Sequence, residues 1–102
     1  MKLKIARVVF NKADEPYAIR LPKNTERFLM QTRDGSTWRW GLNASVVQEN
    51  QEDFMTVPSA GSWYEDDLHL EEPITVYVAC PASGKVLEIY YWVSDPANTK
   101  GG

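Results

Sequence analysis

Between Pro73 and Val93 the chain alternates apolar and other residues so regularly that only extended structure accommodates it. Side chains of a strand point to opposite faces with period two, so Ile74, Val76 and Val78 share one side of a strand over 74–79, and Leu87, Ile89, Tyr91 and Val93 share one side of a strand over 85–93. With Pro81-Ala82-Ser83-Gly84 as a four-residue loop and Cys80 opposite Lys85, the two segments form a hairpin. Its register sets Val78 against Leu87, Val76 against Ile89 and Ile74 against Tyr91. A slip of one residue would bring Val76 against Glu88 or Tyr90 and bury a carboxylate without a partner.

The other side of this expected hairpin carries Thr75, Tyr77, Glu88, Tyr90 and Trp92. Tyr and Trp combine large apolar area with a polar handle, which suits either packing beneath another segment of the same domain or contact with another chain. Both readings stand on the sequence.

A length of 102 residues makes one domain, large enough to fold on its own core. Cys80 is the single cysteine, so no internal disulfide forms, and a thiol next to Pro81 at a strand end reads as a small buried hydrophobe. That usage suits assembly in a reducing compartment. The formal net charge is −3, with Lys and Arg scattered rather than clustered, against nucleic-acid binding as the main task. No apolar run reaches the length of a membrane span, and Met1-Lys2-Leu3-Lys4 leads into no signal-peptide core. The expectation is a soluble chain that needs neither membrane nor cofactor.

Aromatics make up 12% of the chain, four of them Trp, with Gly and Pro spread as punctuation and little helical period, which predicts an all-β domain. Leu3 to Phe10 has apolar residues on both sides, predicting a strand covered at least partly on both faces. Tyr17 to Leu21 is a short strand ended by Pro22. A second hairpin is expected from Arg27 to Arg33 and Ser36 to Leu42 around Asp34-Gly35, in a two-residue type I′ turn. It would set Leu29 against Trp40 and Gln31 against Trp38, so that Trp38 and Trp40 point the same way. Leu29 and Leu42 share that face, so a structural role is the simpler reading, and a stacking platform for a sugar or base is the alternative.

Asn43 to Val47 continues as strand or loop, Asn43-Ala44-Ser45 fits a glycosylation sequon, and Glu49 to Asp53 reads as an exposed loop. Phe54 to Val57 is a short strand, and Ser59 to Ser62 turns into Trp63-Tyr64. Glu65 to Glu72 is acidic, with Asp67, His69 and Glu71 on one face if extended. Strand geometry spaces such groups roughly 6–7 Å apart, too wide for one metal ion without a bend, so a solvated acidic loop or edge is the expectation. Glu65, Asp66 or Asp67 with Glu88 could be tried as a carboxylate pair for glycoside hydrolysis, and nothing in the sequence sets its separation. The chain therefore reads as a binding or structural module without a catalytic or metal site. The predicted fold is an all-β, single-domain antiparallel β-sandwich, jelly-roll-like, over residues 1–93, with a flexible tail at 94–102.

Four segments carry a resemblance: Arg27-Phe28-Leu29-Met30-Gln31-Thr32-Arg33-Asp34-Gly35, Thr56-Val57-Pro58-Ser59-Ala60-Gly61-Ser62-Trp63-Tyr64, Thr75-Val76-Tyr77-Val78, and Gly84-Lys85-Val86-Leu87-Glu88-Ile89-Tyr90-Tyr91-Trp92. Together they resemble small accessory structural proteins of tailed bacteriophages, over roughly Arg27 to Trp92. The resemblance implies a compact sandwich or jelly roll without an active site. It also implies a role as capsid decoration or cement protein, or as a head–tail accessory protein, assembled in the bacterial host cytoplasm and resident in the virion. Its partners would be other copies of itself and a larger shell, neck or tail protein, and Tyr77, Tyr90, Trp92, Trp63 and Tyr64 are the expected apolar anchors. The alternative is a carbohydrate-binding module of a phage fibre or host enzyme, with Trp38, Trp40 and Trp63 as platforms.

Overall fold

A computed structural model describes residues 2–44 and 53–94. Eight strands are present among them: β1 (Lys2–Phe10), β2 (Tyr17–Leu21), β3 (Thr25–Thr32), β4 (Trp38–Gly41), β5 (Met55–Val57), β6 (Trp63–Glu65), β7 (Ile74–Ala79) and β8 (Lys85–Val93). They form two antiparallel four-stranded sheets, the first in the order β1-β8-β3-β6 and the second in the order β2-β7-β4-β5. The sheets pack as a sandwich. The expected continuation of Asn43 to Val47, the loop at 49–53 and the tail at 94–102 lie almost wholly outside the described residues.

Neither expected hairpin forms. β7 pairs with β2 and β4 in the second sheet, whereas β8 pairs with β1 and β3 in the first. Alternation specifies which residues turn inward, and inward-turned residues meet equally well side by side in one sheet or face to face across two. Here β8 matches β1 over nine residues, from Lys2 opposite Val93 to Phe10 opposite Lys85. Val76, Val78, Leu87 and Ile89 are all buried, the first two projecting from one sheet and the last two from the other. The connection between them is held by backbone bonds from Gly84 N to Phe10 O (2.6 Å) and from Asp14 N to Cys80 O (2.8 Å). Cys80 is fully buried there, and its thiol donates to Thr37 O at 3.4 Å.

Asp34-Gly35 likewise joins strands of different sheets, β3 and β4. Only Gly35 has positive φ (79°), so the turn is not type I′. Gly35 N donates to Thr32 O at 3.2 Å, closing a turn with glycine in its last position, and Ser36 N and Oγ donate to Asp34 Oδ1 at 3.1 and 2.7 Å. Lys85 Nζ lies 2.8 Å from Asp34 Oδ2, tying this crossover to the start of β8. Those donors hold the Asp34 carboxyl far below its ordinary value of 3.8, Lys85 first and Ser36 next, and Asp34 in turn raises the Lys85 ammonium.

β1 departs from expectation. Residues 2–7 are exposed on both sides, with no second layer over them, and only Val8 and Phe10 reach the core. The acidic stretch is not a strand beyond Glu65. Leu68 N donates to Glu26 O and Asn24 N to Leu70 O, both at 2.9 Å, which seats Leu68 and Leu70 against the core while Asp66, Asp67, His69, Glu71 and Glu72 face outward. Two leucines thus make this stretch a plug as well as a solvated loop.

Among the described residues Trp38 is the largest fully buried side chain, and its indole nitrogen has no hydrogen-bond partner there. Trp38→Ala is expected to cost about 3–5 kcal/mol in urea unfolding, and Ile5→Ala, at an exposed position, less than about 0.5 kcal/mol. The Asp34–Lys85 pair contributes stability that is full above pH 3.8, since the Asp34 value is depressed on folding, and fades as pH falls through the depressed value. An NMR titration of Asp34 is expected to show a midpoint below 3.8 that moves up toward it in Lys85→Met.

Candidate functional site

In β8 the residues between the buried Leu87 and Ile89 and beyond them, Glu88, Tyr90 and Trp92, project from the outer face of the first sheet. The neighbouring strands place apolar residues beside them. Ile5 of β1 stands opposite Tyr90, Tyr90 opposite Leu29 of β3, and Leu29 opposite Tyr64 of β6, so one row crosses all four strands. Leu3 stands opposite Trp92 in the next row. Ile5 is 80% exposed, Tyr64 46% and Leu3 44%, while Leu29, Tyr90 and Trp92 are half-buried. A shallow depression of about 310 Å³ opens among Ile5, Leu29, Gln31, Glu88 and Tyr90.

One side of this row is polar. Arg7 and Gln31 flank Glu88 on neighbouring strands, and Arg33 Nε lies 3.0 Å from Glu88 Oε2 in a solvent-exposed ion pair. Such a pair contributes little to stability but sets a charged rim beside an apolar strip, the anatomy of a protein contact surface.

Of the expected anchors, Tyr64, Tyr90 and Trp92 share this face. Tyr77 is elsewhere: it lies on the outer face of the second sheet between Ala18 and Gly41, two residues too small to extend an apolar strip. Trp63 stands opposite the buried Met30 and so turns inward. Its ring meets Phe28 edge-on at 4.7 Å and stacks flat on Trp40 at 3.6 Å and 3°, and its Nε1 donates to Glu65 Oε2 at 2.9 Å. This stack clasps β6 of the first sheet to β4 of the second.

Leu3, Ile5 and Leu29 join the face without having been expected there. Their shared side was visible in the alternation of 3–9 and 27–33, but which side looks outward depends on where the second sheet sits.

Of the alternative ligand platform, Trp38 is wholly enclosed, whereas Trp40 is half-buried, stacks one ring face on Trp63 and lines an open depression with Leu42, Phe54 and Met55. Glu65 stands opposite the buried Phe28 on the inner side of the first sheet, and Glu88 is on its outer side, so the two do not flank one bond. Among the described residues no group of three or more His, Cys, Asp or Glu is placed to hold a metal ion.

Compared against family models, curated proteins and solved structures, the chain matches none. Trp63→Ala is expected to abolish the near-ultraviolet circular dichroism of the stacked indoles while leaving the far-ultraviolet β signal, and polysaccharides are expected to leave the tryptophan fluorescence of the unaltered chain unchanged.

Proposed function

We propose that this chain is a non-enzymatic structural protein of a tailed-phage virion, a capsid decoration or cement protein or a head–tail accessory protein. It acts by associating with copies of itself and with a larger shell, neck or tail protein, and works without cofactor, nucleic acid or membrane. It assembles in the bacterial host cytoplasm and resides in the virion.

The observation that carries this reading is the apolar row Ile5–Tyr90–Leu29–Tyr64, with Leu3 and Trp92 beside it, on a rigid outer sheet face. Exposed apolar strips rimmed by charge are the surfaces that proteins keep for partners. The strand order gives further support. Apart from the bonded pair β4 and β5, each successive strand switches sheet, and we read this connectivity as a jelly roll, an architecture widespread in viral shells. No helix among the described residues is long and apolar enough to cross a membrane, and the net charge of −3 disfavours a phosphate backbone as partner.

The test is sedimentation of the purified protein with heads and with tails of the phage that encodes it. Co-sedimentation with one of these is expected. Tyr90→Ser and Trp92→Ser, half-buried outward positions, are expected to weaken it by about 2 kcal/mol each without unfolding the chain. Binding to neither particle would refute the reading.

A further inference from the structure

Among the described residues the first sheet ends in two strands with unpaired outer edges, β1 on one side and β6 on the other. Because its four strands alternate in direction, β6 of one copy and β1 of the next meet antiparallel when the second copy simply repeats the orientation of the first. We propose that β6 of one copy pairs with β1 of a second copy, joining the first sheets head to tail.

The residues select one register. Continuing the exposed apolar row places Tyr64 opposite Ile5 of the next copy, so that the strip runs unbroken from copy to copy. Antiparallel pairing then sets Glu65, the last residue of β6, against Lys4. A slip of one residue sets Tyr64 against Lys4 or Ala6 and turns the strip inward. The same register that joins apolar to apolar thus joins acid to base.

The groups involved are available. Ile5 is 80% exposed and Tyr64 46%, and Lys2, Lys4 and Arg7 make no ion pair among the described residues. Glu65 uses Oε2 on Trp63 Nε1 and keeps Oε1. β1, nine residues long, has neither proline nor a register shift along β8, and the Lys4 that would discourage pairing with most edges meets an acidic partner in this one. A joint of this kind is heterologous, which closes into a ring or continues as a filament rather than stopping at a symmetric pair.

This inference deepens the assembly reading and rests on its premise that copies associate, but needs no shell. Failure to bind phage particles leaves the joint standing, and a chain that stays monomeric removes the joint while leaving shell docking through the outer face testable. Sedimentation equilibrium without phage particles, from roughly 10 to 500 µM, reads the association directly. The unaltered chain is expected to self-associate across that range, and Lys4→Glu and Glu65→Gln to weaken the association about tenfold or more. Glu65→Gln keeps an acceptor for Trp63, so its effect reports charge rather than folding. Two results overturn the proposal: a monomer throughout the range, or association indifferent to Glu65→Gln, as symmetric β1 pairing would give.

Discussion

Burial of the inner faces of β7 and β8 in one shared core, from opposite sheets, is the constraint on which the architecture depends. Val76 and Val78 descend from one sheet and Leu87 and Ile89 rise from the other, all four buried. Each strand is central in its own sheet, so the four residues lie at the middle of the sandwich. Once they are enclosed, the alternate residues of β8 have no direction left but outward. Tyr90 and Trp92 are therefore outer-face groups because Leu87 and Ile89 are core groups.

Two of the crossings follow from the same burial. Loops 80–84 and 33–37 carry the chain from one layer to the other, the first held by Gly84 N on Phe10 O and Asp14 N on Cys80 O, the second by the Asp34–Lys85 bridge. At the far side the Trp40–Trp63 stack performs a similar task, holding β4 and β6 together where the strands are short. The acidic stretch closes one end of the core with Leu68 and Leu70 and leaves its carboxylates in solvent. Each apparent oddity of composition, the tryptophans included, thus divides between closing the sandwich and decorating its outside.

The apolar outer row is of a different kind: Leu3, Ile5 and Tyr64 are exposed, and among the described residues no second layer covers them. Exposed positions of this type carry an aggregation cost. Under the proposed assembly another molecule would cover the strip. This is the physical ground for the assembly reading, and for placing its contact on the first sheet rather than on the second, where Tyr77 stands between Ala18 and Gly41.

Period-two alternation by itself determined that the chain is all-β, where most strands run, and which residues of β7 and β8 turn inward, because the facing of a side chain is a local property of extended backbone. Strand partnership is not local. Apolar sides satisfy one another equally in a hairpin and across a sandwich, and Asp34-Gly35 suits a crossover as well as a hairpin, so the pairing of β8 with β1 and β3 came only with the tertiary structure. With it came the enclosure of Trp38, the inward turn of Trp63 and the alignment of Ile5, Tyr90, Leu29 and Tyr64 from four separate strands. A row built from residues 5, 29, 64 and 90 has no signature along the chain, since its members become neighbours only when the ladders between them form.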